Sequence, residues 1–282
     1  MPRKRLVLLL LCASLCAWFK PLKLLQVFRI DYIERCSFKD QLTNDVADIK
    51  TFKIFIGAGT KDYVVMASHV ALSLLQRSEK LVNASSGIYV LTTRENVEFC
   101  RLTLKDVEQT SCVGVTPKFQ QNTRTHQEVY SKFESVSYVD DTEWVVYFDA
   151  DTVILGELHQ LMHQLPTWKK IMAVKDFPTF LQRLGKGRGA WGINGGFLAF
   201  EKSLVLDSWG MIESMMGQGV NDQIIWSQVM FRAGKKSCIL GLEYNCRPNT
   251  HRRCHQNAKL IHYSSNAKHA LYYYVRHQQT YG

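Results

Sequence analysis

The sequence predicts an α/β fold built on a single Rossmann-like sheet, mixed but mainly parallel, with helices on its faces. Three observations support this fold class. Short apolar runs rich in β-branched and aromatic residues alternate with longer segments of helical periodicity. Their β-α-β-α-β order favours parallel strands joined by right-handed crossovers. A chain of 282 residues is long enough to bury one large core.

The predicted strands and helices follow one another in order from residue 53. They are a strand and glycine-containing loop at 53–60, a helix at 63–79, strands at 88–93 and 112–115, a helix at 121–139, a strand at 144–148, a helix at 157–165, strands at 171–174 and 196–200, and helices at 204–216 and 222–230. The helix at 63–79 illustrates the criterion, since Val64, Ala67, Val70 and Leu74 recur at helical spacing.

The strand at 144–148 carries the clearest chemical signal. The run Trp-Val-Val-Tyr-Phe is apolar throughout, as in a strand buried on both faces, and Asp149 and Asp151 follow it directly. Residues two apart on a strand point the same way, so the two carboxylates can converge on one cation. Paired hard oxygens suit Mg²⁺ or Mn²⁺, and the carboxyl end of a central strand is where open α/β sheets bind ligands.

Charge and cysteine content restrict the setting. The formal net charge of +10 favours an anionic partner, but no nucleic-acid-binding module is present and the basic residues are scattered. Six cysteines lie beyond the N-terminal apolar run, an even set that we expect to form disulfides in an oxidising compartment. A zinc site that combines Cys238, Cys246 and Cys254 with neighbouring histidines is the alternative. It is disfavoured because these cysteines lack the usual C-x-x-C spacing.

The N-terminus predicts targeting to the secretory pathway. Basic residues 3–5 precede an apolar run at 6–19, which is short for a full membrane span. Because no clean cleavage site follows, we expect residues 1–19 to be a cytoplasmic tail and an uncleaved signal-anchor, with a cleaved signal as the alternative. Residues 20–50 would be a stem and 51–282 a catalytic domain in the lumen of the Golgi or endoplasmic reticulum, or secreted. The sequon at Asn83 is predicted to be glycosylated there.

Three further segments complete a recognisable pattern. Residues 259–268 resemble an H-x-x-G-x-x-K signature, with Ser265 in the place of its glycine; residues 221–223 resemble a D-Q element, and residues 191–197 an N-x-G strand entry. With the D-x-D pair, these motifs make the chain similar to GT-A-fold, nucleotide-sugar-dependent glycosyltransferases from residue 53 to about residue 268. It is most similar to retaining family 8, the glycogenin-like and bacterial galactosyltransferase group, and shares features with family 34.

This resemblance implies the roles of individual residues. His262 would be a third protein ligand to the metal beside Asp149 and Asp151, and Lys268 would neutralise the diphosphate. The other positions implied to contact a UDP-sugar donor are Ala58, Gly59 and Thr60 at the ribose, Tyr63 at the base, and Lys132 and Ala150. The positions implied to act on the donor sugar or at the reaction centre are Asp176, Asn194, Asp222 and Gln223. Ordinary explanations exist for Tyr63, as a packing aromatic, and for Asp222, as a helix N-cap.

The function implied is metal-dependent transfer of a sugar from a UDP-sugar to a glycan, glycoprotein or glycolipid acceptor, with retention of configuration. An inverting enzyme of the same fold is one alternative and would use Asp222 or Asp176 as general base. A sugar-1-phosphate nucleotidyltransferase is disfavoured because residues 54–63 lack its glycine-rich opening. A non-catalytic nucleotide-sugar-binding protein of this fold is the remaining alternative.

Overall fold

The computed structural model describes residues 33–36, 51–116, 131–139, 144–163, 170–175, 192–248 and 254–263. The predicted signal-anchor, most of the stem, Asp176 and Lys268 lie outside these residues. In the described part of the chain, no helix has both the length and the apolar character needed to cross a bilayer.

Two sheets organise the described residues. The nine strands are β1 (Phe52–Gly57), β2 (Ile88–Thr93), β3 (Thr110–Val115), β4 (Trp144–Asp149), β5 (Thr152–Ile154), β6 (Ile171–Lys175), β7 (Ile193–Glu201), β8 (Ser237–Leu240) and β9 (Leu260–His262). Seven of them form one sheet in the order β3-β2-β1-β4-β7-β6-β8, and β5 pairs with β9 in a small second sheet.

The first half of the main sheet is parallel, as the sequence predicts. Strands β3, β2, β1 and β4 all pair in parallel, and β1 and β4 are in register from Phe52↔Trp144 to Gly57↔Asp149. The residues of β4 from Trp144 to Phe148 are all buried, which confirms that this strand is covered on both faces. Its two aspartates therefore follow a strand at the centre of the sheet.

Strand β7 runs against its neighbours and makes the sheet mixed. It is antiparallel to β4, with Phe148 opposite Phe197, and antiparallel to β6. Because of this direction, the first residues of β7 lie at the same edge of the sheet as the last residues of β4. Asn194 is thereby carried to the edge at which Asp149 ends its strand.

The helices cover the two faces of the main sheet. They are α1 (Lys61–Arg77), α2 (Glu79–Ala84), α3 (Val97–Leu104), α4 (Ser131–Glu134), α5 (Gln160–His163), α6 (Lys202–Asp207), α7 (Trp209–Gly217) and α8 (Asp222–Ala233). One core packs α1 and α3 on the sheet, and the other packs α6, α7 and α8 on the opposite face. In the second core the Trp226 ring stacks on Phe133 at 4.5 Å between centroids and lies 4.6 Å from Phe200.

Two of the differences from the sequence-based expectation concern helices α6, α7 and α8. The helix predicted at 204–216 is two helices, because the backbone leaves helical geometry at Ser208, between α6 and α7. The ordinary explanation of Asp222, that it is the N-cap of the next helix, does not hold. Asn221 is the N-cap of α8, and its Oδ1 accepts a hydrogen bond from the Gln223 N–H at 2.9 Å. Both residue types cap helices well, so the sequence alone did not separate them.

Three disulfides confirm the predicted use of the cysteines. Cys36 pairs with Cys238, Cys100 with Cys112, and Cys246 with Cys254. The first fastens residues 33–36 to the edge strand β8, where the Cys36 N–H also donates to the Ile239 carbonyl at 2.8 Å. Because Cys238, Cys246 and Cys254 are all oxidised, the zinc alternative is excluded.

Candidate active site

Three side chains with metal-ligand chemistry meet at the carboxyl end of β4. Potential ligand atoms of Asp149, Asp151 and His262 all lie within 4.8 Å of one another. His262 Nε2 is 3.2 Å from Asp151 Oδ1 and 3.9 Å from Asp149 Oδ2. Asp151 and His262 are buried, whereas the Asp149 side chain is 28% exposed. The cluster is thus open to a ligand on the Asp149 side.

Pairing of the two short strands brings His262 to the aspartates. Thr152 of β5 lies opposite His262 of β9, and the Tyr263 N–H donates to the Asp151 carbonyl at 2.8 Å. The Thr152 hydroxyl donates to the Asp149 carbonyl at 2.8 Å and closes the turn between the aspartates. The backbone therefore holds Asp151 and His262 side by side before any ion binds.

The start of β7 is shaped around the His262 ring. A β-carbon on Gly196 would stand 2.2 Å from His262 Nδ1, closer than any real side-chain contact. The Asn194 Oδ1 lies 2.9 Å from the same nitrogen. Only a glycine at position 196 leaves the imidazole room to lie against β7 and face the aspartates.

A buried lysine links the aspartate pair to helix α8. Lys132 Nζ lies 2.6 Å from Asp222 Oδ2, 3.3 Å from Asp149 Oδ1 and 3.3 Å from the Gly195 carbonyl oxygen. Three acceptors thus match the three donors of the ammonium group. Burial alone would lower the pKa of Lys132, but Asp149 and Asp222 outweigh burial and raise the pKa above its ordinary value.

The electrostatics of the pair favour a bound cation. Burial is the main influence on the pKa of Asp149 and raises it; Lys132 acts in the opposite direction, and Asp151 raises it again, so the net direction is upward. The positive groups of the protein alone do not neutralise the two carboxylates that lie together beside the imidazole. Oxygen donors and one imidazole nitrogen are ligands that Mn²⁺ accepts, so the residues present fit a divalent metal.

More than half of the sequence matches the model of one protein family. Residues 54–221 match the model of glycosyl transferase family 8. The chain belongs to glycosyl transferase family 8. No curated protein sequence matches it significantly.

Solved structures of other glycosyltransferases share the fold of this family 8 chain. The galactosyltransferase LgtC, in complex with donor and acceptor sugar analogs, is similar at TM-score 0.55 and 18% identity, covering 76% of this chain and 88% of LgtC. Mouse xyloside xylosyltransferase 1 is similar at TM-score 0.54 and 10% identity, covering 77% of this chain and 99% of that one. A glycosyltransferase involved in glycosylation of the major capsid of PBCV-1 gives TM-score 0.53 and 9% identity, over 81% and 99%. At these identities the likeness shows a GT-A fold.

The loop predicted to receive the nucleotide follows β1 in this family 8 domain. Ala58 is fully buried, and its N–H donates to the Leu91 carbonyl at 2.8 Å. The Gly59 carbonyl accepts from Asn96 Nδ2 at 3.3 Å, and Thr60 caps α1 with its hydroxyl 3.4 Å from the Tyr63 N–H. Tyr63 is half-buried against the first core. Contact of these residues with a nucleotide stays a prediction.

The structure describes three of the four predicted reaction-centre residues, and also Ala150 of the predicted donor contacts. Asp222 and Gln223 begin α8, with Asp222 buried against Lys132 and Gln223 partly exposed. Asn194 is buried and its amide oxygen points to His262. Ala150 is buried in the turn between the aspartates, while Asp176 and Lys268 lie outside the described residues.

Sequence reasoning did not single out two asparagines that the fold brings to the site. Asn96 supports the Gly59 carbonyl, and Asn245 donates from Nδ2 to Asn194 Oδ1 at 2.8 Å. Neither stands in a local motif that indicates this role. Only the assembled fold places them beside residues far away in the chain.

Proposed function

We propose that this family 8 chain is a metal-dependent glycosyltransferase that takes its sugar from a UDP-sugar and transfers it to a glycan, glycoprotein or glycolipid with retention. The observation that carries the proposal is the convergence of Asp149, Asp151 and His262 at the carboxyl end of β4. Pairs of oxygen donors that leave coordination positions open are typical of sites that bind a diphosphate through a metal.

The three residues would hold Mn²⁺ or Mg²⁺ on the Asp149 side, which is the exposed side of the cluster. Such an ion, when bound, supplies Lewis-acid stabilisation of the charge on the leaving UDP. Lys268 would add a second positive charge at the diphosphate, as the family pattern implies. The first loop, from Ala58 to Tyr63, would hold the nucleoside.

The start of α8 is the proposed position of the donor sugar. Lys132 holds one oxygen of Asp222 and joins it to Asp149, which is the residue nearest the open side of the metal site. A sugar attached to the diphosphate would therefore reach Asp222 and Gln223, with Asp222 on its hydroxyls and Gln223 beneath the anomeric carbon. Asn194 and Asp176 complete the proposed set.

Of the two candidate general bases for an inverting reaction, Asp222 is disfavoured by its contacts, and Asp176 lies outside the described residues. An inverting enzyme needs a carboxylate free to take the acceptor proton. The Asp222 carboxylate is instead buried and held by the Lys132 ammonium at 2.6 Å. In the retaining course that the family implies, the diphosphate oxygen takes that proton. The anomeric configuration of the product decides between the two.

We also propose that the domain works in the lumen of the secretory pathway, anchored by residues 1–19. Three disulfides, one of which spans 202 positions of the chain, support an oxidising compartment. The exposed sequon residue Asn83 at the end of α2 is consistent with that setting.

A screen of UDP-sugars tests the proposal. The purified protein is incubated with each UDP-sugar, with Mn²⁺ or with chelator, and release of UDP is measured. We expect slow hydrolysis of one donor that requires Mn²⁺ and disappears in Asp151→Asn. Binding of a UDP-sugar with no turnover, even with added sugar acceptors, would favour the non-catalytic binding protein instead.

A further inference from the structure

We propose that Asn245 is a positioning residue for the metal site: it holds Asn194, whose amide oxygen keeps the proton of His262 on Nδ1 and leaves Nε2 free to bind the metal. This inference rests on the metal site of the proposed function. Asn245 lies outside the family match at 54–221 and outside every motif that the sequence offered.

The orientation of the Asn194 amide follows from one backbone group. The Gly196 N–H, which can only donate, lies 2.9 Å from the Asn194 side chain. The atom that faces it must therefore be the acceptor Oδ1. The same oxygen lies 2.9 Å from His262 Nδ1. An amide oxygen cannot donate a hydrogen bond, so Nδ1 must carry the proton. In the neutral ring, Nε2 then carries no proton and offers its lone pair.

Asn245 fixes this arrangement from the far side. Its Nδ2 donates to Asn194 Oδ1 at 2.8 Å, and both asparagines and His262 are buried. Asn245 is itself held by its chain neighbour, because Cys246 N–H donates to the Leu260 carbonyl and the His262 N–H donates to the Cys246 carbonyl, each at 2.8 Å. Asn245 and Cys246 thus hold both parts of His262. Cys246 bonds to its backbone, and Asn245 acts on its ring through Asn194.

The alternative tautomer would disable the site. Asp151 Oδ1, at 3.2 Å from Nε2, is close enough to accept a hydrogen bond from a protonated Nε2. A ring protonated only on Nε2 would donate to Asp151 and present no lone pair to a metal. Asn194 and Asp151 therefore compete for the single proton of neutral His262, and Asn245 holds Asn194 Oδ1 in the position that leaves Nε2 available. Ligating histidines are commonly oriented in this way by a group on the other ring nitrogen.

The arrangement leaves two other atoms unpaired. Among the described residues, Asn194 Nδ2 and Asn245 Oδ1 have no hydrogen-bond partner, although both are buried. Asn194 Oδ1, in contrast, accepts from the Gly196 N–H and from Asn245 Nδ2 and faces His262 Nδ1.

The first test measures Mn²⁺ affinity by electron paramagnetic resonance of free Mn²⁺, with no substrate present. We expect Asn194→Leu to weaken binding by about 10- to 100-fold and Asn245→Leu by about 10-fold, the range for groups that orient a ligand. Asn194→Asp keeps the acceptor and should rescue binding to within roughly threefold. Ser237→Ala, which removes a buried side-chain hydrogen bond at the start of β8, is the control and should not change affinity.

The second test reads the tautomer of His262 directly in metal-free protein. Long-range ¹H–¹⁵N spectra of ¹⁵N-histidine-labelled wild type, near pH 8.5, should show His262 protonated on Nδ1. The signals of His262 are assigned as those that are missing from the spectrum of His262→Gln. Protonation of His262 on Nε2 in the wild type would overturn the inference. It would also be overturned if Asn194→Leu and Asn245→Leu both bound Mn²⁺ as tightly as the wild type. Absence of Mn²⁺ binding in the wild type would instead reject the metal site, while the spectrum still decides the role of the asparagines.

Discussion

Gly196 lies so close to His262 that a β-carbon would stand 2.2 Å from the ring nitrogen Nδ1. The glycine of the predicted strand entry therefore makes room for the proposed metal site. It lets the imidazole of His262, from the last described strand, lie against the centre of the sheet, beside the two carboxylates at the end of β4.

We expect Gly196→Ala to damage the metal site more than the fold. The methyl group must push the His262 ring away from Asn194 and out of line with Asp151, so Mn²⁺ affinity should fall by roughly 10- to 100-fold. The matched control is Gly210→Ala in α7, where an added β-carbon meets nothing within 4 Å. That change should leave affinity unchanged and raise stability by about 0.5–1 kcal/mol. Equal Mn²⁺ affinity in the two variants would contradict this account of Gly196.

Lys132→Met should strongly destabilise the domain. The change leaves Asp149 and Asp222 without the ammonium that both contact, and breaking a buried pair from one side typically costs about 3–5 kcal/mol. Saturating Mn²⁺ should restore part of the loss, because the ion supplies positive charge at Asp149. Urea unfolding with and without Mn²⁺ measures both effects. Lys80→Met, at an exposed lysine of α2, is the control and should stay within about 0.5 kcal/mol.

If Lys132→Met loses no more stability than Lys80→Met, the ammonium is not holding the carboxylates together. Lys132 would then be free to contact a donor directly, as the family resemblance implies.

The acid stability of the domain should depend on Glu157. Burial acts to raise the pKa of Glu157, but hydrogen bonds from the His159 N–H, the Ser78 hydroxyl and neighbouring backbone groups outweigh it and lower the pKa below its ordinary value. A lowered pKa stabilises the fold above the unfolded-state pKa, and this contribution is lost as the pH falls through the folded-state pKa.

The difference in unfolding free energy between wild type and Glu157→Gln should therefore be largest near neutral pH and should shrink below about pH 4.5. Ser78→Ala, which removes one of the donors, should weaken the same pH dependence. Urea unfolding of the three proteins across this range provides the measurement. A difference that stays constant with pH would show that these hydrogen bonds do not favour the ionised carboxylate.

Asn83 should carry a glycan when the chain is expressed in a eukaryotic host. The residue is exposed near the end of α2, and its sequon is the one N-x-S/T sequence in the chain. Treatment with a peptide N-glycosidase should shift the wild type on a gel and leave Asn83→Gln unchanged. An unglycosylated domain accessible to protease on the cytosolic side of microsomes would reject the lumenal placement.

Much of this architecture could be predicted because its signals are local. The β4 run and the spacing of Asp149 and Asp151 lie within eight consecutive residues, and the alternation of strands with helices predicted the parallel half of the sheet. The six cysteines indicated disulfides, but their pairing depends on tertiary contacts. A link such as Cys36 to Cys238 has no sequence signature.

The supporting contacts of the site could not be predicted for the same reason. Asn245 reaches Asn194 from 51 positions away, and Lys132 reaches Asp222 from 90. Each is an ordinary residue in its own segment and gains its role only from the neighbours that the fold supplies. The family resemblance named His262 and Lys132 but did not reveal that one ammonium joins Asp149 to Asp222.

Titration of UDP into the protein by calorimetry, with and without Mn²⁺, tests the central claim most directly. If Asp149, Asp151 and His262 hold the metal that binds the diphosphate, Mn²⁺ should strengthen UDP binding to the wild type. His262→Ala should lose that enhancement while keeping the weak binding expected without metal. Lys268→Ala, a predicted phosphate contact, should weaken UDP in both conditions. Unchanged dependence on Mn²⁺ in His262→Ala would contradict the account and leave His262 as a packing residue.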